Sequence, residues 1–311
     1  MGSVVVAQEQ GQDWAAYNGD SCQVIKGIPD NSVGYIIYSP PFSSLYTYSD
    51  FAEDMGNCNG DEEFFEHFKY LIGDLYRILQ PGRCMSVHCM ELPTSKERDG
   101  FIGMRDFPGE LIRAFQEAGF IFHSRVTIWK DPLIAATRTK ALGLLHKQIQ
   151  KDSAICRQGI ADYLITMRKP GENQNPIAHP KGLTHYAGSD VIDIPRNDIK
   201  YSHNVWRKYA SPVWMDIRQT NTLNEKMARD KEDERHTCPL QLDVIERGIT
   251  LWSNPGDIVF TPFMGIGSEV YQAVRMGRRG IGIELKPSYF ECAVKNIRSA
   301  EESKNSVIDL F

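Results

Sequence analysis

The sequence predicts an α/β protein with a Rossmann-like, mostly parallel sheet, and three observations predict it. Short apolar runs recur along the chain, helical periodicity lies between several of them, and a late run enters a glycine-containing turn. Strands that alternate with helices give a parallel sheet covered on both faces. With 311 residues, 41% hydrophobic and 24% charged, the chain can bury a sizeable core.

The first strand runs from Val33 to Tyr38 and ends in "SPPF". Pro40 and Pro41 lack N–H groups and have fixed φ, so the chain must leave the sheet at Ser39 in a stiff, extended form. Such a turn at a strand end is suited to holding a ligand. Helical periodicity from Glu62 to Leu79 stops at "QPGR", and a strand from Cys84 to His88 follows. Cys84 and Cys89 flank that strand as core-filling thiols. The seven cysteines lack C-x-x-C spacing and form neither a disulfide framework nor a zinc site.

Strands are next expected at Ile121 to Trp129 and Ala161 to Met167. Between them, Thr137 to Gln150 reads as an amphipathic helix, with Lys140, Lys147 and Lys151 in a narrow arc opposite Leu142, Leu145 and Ile149. From Lys169 to Arg235 the chain is rich in Pro, Gly, Asn and Asp and then highly charged, and it reads as an irregular insertion without a second core. A helix from Leu240 to Trp252 leads into strands at Asp257 to Phe260 and Gly280 to Glu284.

Charge is uneven. The net charge is −5, yet Arg125 to Ala210 holds 14 Lys and Arg against 7 Asp and Glu, while the rest holds 21 against 33. That basic segment also carries four of the eight histidines and the aromatics Tyr201, Trp206 and Tyr209. A basic segment inside an acidic protein points to a local polyanion-binding surface, against the plainer reading of a solvated charged face. No apolar run approaches the roughly 18 residues of a membrane span, and Met1 to Asp20 lacks a secretory pattern, so a cytoplasmic protein is expected.

The stretch "GDIVFTPFMGIGSEVYQAVRMGRRGIGIEL" places Gly265 and Gly267 after a strand and Glu284 at the end of the next. Glycines let the backbone approach a ligand, and an acid about 20 residues on is placed to accept from ribose hydroxyls. Taken alone, this arrangement serves NAD, FAD or S-adenosylmethionine. The loop lacks the full G-x-G-x-x-G spacing, and Pro262 gives up an amide that a pyrophosphate would want. It also stands near the C-terminus, so most of the sheet must precede it, a permuted order that favours S-adenosylmethionine.

With "SPPF" early, a basic insertion in the middle and the glycine loop late, nearly the whole chain resembles the β-group amino-methylating DNA methyltransferases, the N4-cytosine/N6-adenine family. "LPTSKERDG", "LGLLHKQIQKDS" and "IGIELKPSYF" resemble a subgroup of orphan enzymes carried by phages and prophages. The resemblance implies a seven-stranded methyltransferase sheet, S-adenosylmethionine as cofactor and DNA as substrate, and it makes a restriction-modification role relevant. It divides one methyltransferase domain into a catalytic part at 1–132, a target-recognition insertion at 133–235 with a strand near 161–168 returning to the sheet, and a cofactor part at 236–311. A homodimer is admitted as an assembly; neither a metal nor a membrane is called for.

By the same resemblance Asp20 contacts the cofactor's adenine. Thr261, Pro262, Phe263, Gly265, Gly267, Ser268 and Glu284 form the cofactor loop and its acid, and the region from His236 packs beside the methionine part. Thr261 and Ser268-Glu269 depart from the family's usual Asp-Pro-Phe and threonine pair. Ser39, Pro40, Pro41 and Phe42 take the catalytic position. There Ser39 Oγ and the Pro40 carbonyl accept from an exocyclic amine, and Phe42 stacks on a base swung out of the duplex. Serine at position 39 favours cytosine N4 over adenine N6, and the strand alignment puts His88 within reach of it. Carbon-5 chemistry is disfavoured, since the one adjacent pair is reversed, Cys238-Pro239.

In this frame Lys140, Lys147 and Lys151 are expected at phosphates, and Arg138, His146 or Arg157 at base edges. "SSLYTYSDFAEDMGN" is expected to close on DNA, with Tyr46 or Tyr48 filling the gap left by a flipped base.

Overall fold

The computed structural model describes residues 4–41, 61–94, 96–133, 146–155, 158–223 and 239–308. Its sheet strands are β1 (Ala7–Gln10), β2 (Trp14–Asn18), β3 (Tyr35–Tyr38), β4 (Cys84–Met90), β5 (Ile121–Ile128), β6 (Asp162–Arg168), β7 (Val213–Trp214), β8 (Ile258–Thr261) and β9 (Arg279–Glu284). They lie in the order β1-β2-β9-β8-β3-β4-β6-β5-β7. The pairs from β2 through β4 are parallel, as is β5 with β7; β1, and β6 on both sides, pair antiparallel.

Nine strands stand where seven are expected. The edges account for the difference: β1 is a wholly exposed polar strand, "AQEQ", and β7 spans two residues, so neither carries an apolar run to reveal it. The alanine-rich β2, "WAAYN", is also outside the predicted strands, although it alternates buried and half-buried residues.

β3 shows why the sheet centre is apolar. All four of its residues are buried, Ile36 and Tyr38 on one face and Tyr35 and Ile37 on the other, because successive side chains point opposite ways between two helical layers. Helices α1 (Asp61–Ile78) and α2 (Phe107–Glu117) cover the first face through Phe64, Phe68, Leu71, Leu111 and Phe115. The second face is covered by α4 (Leu242–Trp252) through Val244, Ile245 and Ile249. Helices α5 (Ser268–Arg275) and α6 (Pro287–Ile308) pack over Trp14 and Ala16.

The stretch from Lys169 is more ordered than expected. It contains α3 (Ile199–Tyr209), whose Tyr201, Val205 and Tyr209 form a small core with Leu183, and it returns β7 to the sheet beside β5. An ion pair docks this core on α4. Arg247, fully buried, donates to Asp216 at 2.7 Å and to the Ala187 carbonyl at 2.8 Å, with the rings of Tyr209 and Trp214 each 4.9 Å from its guanidinium. The docking residues are scattered charges and aromatics, so local composition conceals them. No helix among the described residues is long and apolar enough to cross a membrane.

Candidate active site

The parallel strands bring their C-terminal ends to one edge, and antiparallel β6 brings its N-terminus there. Asp20, Ser39, His88, Lys130, Asp162, Thr261 and Glu284 therefore meet along a single rim. Open parallel sheets bind ligands at this rim, outside the carboxyl ends of the strands.

Tyr38 pairs with Val87, which sets Ser39 beside His88 on the neighbouring strand. Ser39 Oγ and His88 Nδ1 share a hydrogen bond of 2.9 Å, as the alignment leads one to expect. His88 Nε2 in turn lies 3.1 Å from Asp162 Oδ2, a charge contact without the alignment of a full hydrogen bond, and Lys130 Nζ donates to Asp162 Oδ1 at 2.5 Å. Burial alone would raise the Asp162 carboxyl, but His88 and Lys130 more than offset it and hold it below the ordinary value. An ionised Asp162 calls for the proton on Nε2, which leaves Nδ1 to accept from the Ser39 hydroxyl. Sequence reasoning missed Asp162 and Lys130. The available signal was an acid opening an otherwise apolar strand.

Pro40 is buried behind Ser39, and Pro41 is half-buried. Phe42 lies outside the described residues, as do Tyr46, Tyr48, Arg138, Lys140, Arg157 and His236. His146 and Lys147 stand in a short exposed helix, His146–Ile149, and Lys151 is exposed just after it.

The residues of the glycine loop gather on the other half of the rim. Glu284 Oε2 accepts from the Gly265 amide at 2.7 Å and Oε1 from the Lys286 amide at 2.9 Å. Asn18 donates to the Glu284 and Leu285 carbonyls, which ties the ends of β2 and β9 together and places Asp20 beside Glu284. Asp20 caps the helix Ser21–Val24 by accepting from the Cys22 amide at 3.0 Å. Ser21 Oγ donates to the Pro262 carbonyl, and the Phe263 ring packs 5.7 Å from that of Tyr38. Thr261 and Ser268 are buried.

Three features of this half suit an adenosyl-type ligand. Thr261 Oγ1 is buried with no hydrogen-bond partner among the described residues. A Cβ on Gly265, at φ +53°, would meet no described atom within 4 Å, so the loop opens onto free space. Glu284 and Asp20 supply carboxylates from adjacent strand ends. Gly267, at φ +91°, serves packing instead: a Cβ there would come within 3.1 Å of Ala293 on α6.

Three of the described cysteines stay out of this chemistry. Burial pushes the Cys22 thiol up to about 12 and Cys84 up to about 11, and Cys89 is buried in the core. Cys238 lies outside the described residues.

A family model described as DNA methylase, of the N6/N4 type, matches residues 33–295. The type II methyltransferase M.BglII of Bacillus subtilis is 24% identical over 93% of this chain and 70% of its own length. The orphan methyltransferase M.BamHII of Bacillus amyloliquefaciens is 24% identical over 88% of this chain and 92% of its own. Among solved structures, a putative DNA modification methylase of Thermus thermophilus complexed with S-adenosyl-L-methionine superposes with a TM-score of 0.62 at 20% identity, covering 91% of this chain and 94% of that one. The cytosine-N4-specific PvuII DNA methyltransferase superposes with a TM-score of 0.61 at 16% identity, covering 96% and 94%. With a model match across most of its length and a methyltransferase rim at the expected sheet edge, the chain belongs to the N6/N4 DNA methylase family, S-adenosylmethionine-dependent enzymes that methylate exocyclic amines of DNA bases.

Proposed function

We propose that the protein methylates the N4 amine of cytosine at a specific DNA site, with the target base swung out of the duplex to Ser39. The observation that carries this reading is the 2.9 Å contact between Ser39 Oγ and His88 Nδ1 at the rim beside the glycine loop.

An exocyclic amine is a poor nucleophile because its lone pair is delocalised into the ring. Ser39 Oγ and the Pro40 carbonyl act as acceptors for its two N–H groups and favour pyramidal nitrogen; the prolines hold both in place. When bound, S-adenosylmethionine supplies an electrophilic methyl group. As the amine nitrogen gains positive charge, one of its protons passes to Ser39 Oγ while the Ser39 hydroxyl proton passes to His88 Nδ1. Asp162, held ionised by Lys130, keeps the imidazole in the accepting tautomer and stabilises the charge it gains, the division of labour of a Ser-His-Asp arrangement. The cofactor is held by Asp20, Thr261, Pro262, Phe263, Gly265, Ser268 and Glu284 in a loop that Gly267 shapes by packing on Ala293, with the His236 region beside its methionine part.

Target recognition falls to the insertion 133–235, within one domain whose catalytic part is 1–132 and whose cofactor part is 236–311. In it Lys147 and Lys151, with Lys140, contact phosphates, and His146, Arg138 or Arg157 reach base edges. Stacking by Phe42 completes the grip on the base.

The test is to incubate the protein with S-adenosylmethionine and unmethylated DNA of mixed sequence, digest to nucleosides and measure methylated bases by mass spectrometry. N4-methylcytosine is the expected product. N6-methyladenine would show that Ser39 does not choose the base, and the absence of any methylated base would overturn the reading.

A further inference from the structure

Helices α4 and α5 lie side by side, and both begin at the functional rim. Gln272 donates to Glu246 at 3.0 Å, and each residue stands five positions past its own N-cap, Gly267 and Gln241, so the two N-termini are level. Neither N-cap side chain caps its helix. Two level helix starts bring the positive ends of their dipoles together, which favours a carboxylate.

Glu269 sits in the first turn of α5 and is 5% exposed. Ala273, one turn further along the same face, belongs to the core cluster of Tyr35, Ile37, Leu240 and Val259. Glu269 therefore faces the junction of β8 and β3 at the rim. The one hydrogen bond to its carboxyl, among the described residues, comes from its own backbone amide. Among the described residues, Thr261 Oγ1 and Gln241 Oε1 are buried at the same rim with no partner. Buried polar atoms are almost always paired, and acceptors left over at a binding rim call for a donor from the ligand.

We propose that Glu269 binds the α-ammonium of the cofactor's amino-acid end, with the helix starts of α4 and α5 taking the α-carboxylate. The inference rests on the methyltransferase reading and assigns a residue to one end of its cofactor. Burial pushes the Glu269 carboxyl up to about 8 against the pull of its own amide, and Glu284 on β9 adds to the rise. On α4, Asp243 is tied to Arg218 and Asn221, Glu246 to His185 and Gln272, and Arg247 to Asp216. Just before α6, Lys286 lies over the Tyr289 ring. Glu269 is therefore protonated at pH 7 in the free protein, and an ammonium beside it favours the ionised form. Binding must release a proton.

The experiment is calorimetric titration of S-adenosylmethionine at pH 7 in buffers of different ionisation enthalpy, with wild type and Glu269→Gln, alongside 5′-methylthioadenosine, which lacks the amino-acid end. Wild type should release close to one proton per S-adenosylmethionine. Glu269→Gln should release none and bind at least tenfold more weakly, while both proteins bind 5′-methylthioadenosine alike. Binding by wild type without proton release, or an equal loss of 5′-methylthioadenosine affinity in the variant, would overturn the assignment. Failure of wild type to bind S-adenosylmethionine while binding another adenosine cofactor would instead overturn the methyltransferase reading, and the assignment with it.

Discussion

His88 Nε2 lies 3.1 Å from Asp162 Oδ2, while the other oxygen of that carboxylate takes the Lys130 ammonium at 2.5 Å. Because Asp162 is 2% exposed, water cannot substitute for either partner, and the orientation of His88 depends on this acid. Ser39 inherits that orientation through Nδ1.

Ser39→Ala should lower the methylation rate by about 100-fold or more, the usual loss when a preorganised polar contact to the reacting group is removed. The variant should bind S-adenosylmethionine as wild type does, since Ser39 lies outside the cofactor loop. Single-turnover rates beside equilibrium binding separate the two, and a large loss of cofactor affinity would refute the placement.

Asp162→Asn should lower kcat by at least about 100-fold, because His88 loses the group that sets its tautomer. It should also change acid stability in a defined direction. The folded carboxyl titrates below the value of 3.8 expected in the unfolded chain, so its contribution is complete above that value and lost as pH falls through the folded one. The gap in Tm between wild type and variant should hold from pH 7 downwards and narrow only once pH falls below 3.8. A constant gap would contradict it.

Glu269 has the opposite sign. Its carboxyl titrates near 8 when folded, against an ordinary value of 4.5, so the unfolded chain ionises first and stability falls as pH rises between those values. Glu269→Gln should therefore raise the Tm of the free protein more at pH 8 than at pH 5. Equal shifts at the two pH values would show an acid that does not titrate in this range.

The two loop glycines should separate. Gly267→Ala must hold φ near +91° and crowd Ala293 within 3.1 Å, so a loss of about 1–2 kcal/mol from the backbone, plus the cost of crowding, is expected in urea unfolding. Gly265→Ala carries a similar backbone strain at φ +53° but meets no described atom within 4 Å, so its larger effect should fall on cofactor affinity. Matching stability losses with unchanged cofactor binding would remove Gly265 from the site.

Lys147→Ala should weaken binding to DNA of every sequence and reduce the slope of log affinity against log salt by about 1. An unchanged slope would take Lys147 off the phosphates.

By itself the sequence determined the alternating α/β class, the six apolar strands, the glycine loop and the Ser39 turn. These features are local: a buried strand must be an apolar run, a helix must repeat its apolar face, and prolines and glycines impose their own φ. Even the pairing of Ser39 with His88 was legible, because parallel neighbours bring their ends to one edge. Only the tertiary structure decided that Asp162 and Lys130 join them, that Arg247 and Asp216 dock the helix of the insertion, and that Glu269 is buried at the rim. Each of these is a charged side chain whose meaning comes from a distant partner or from lost solvent. No local pattern records that, because the cost of burying a charge is set by what the fold brings against it.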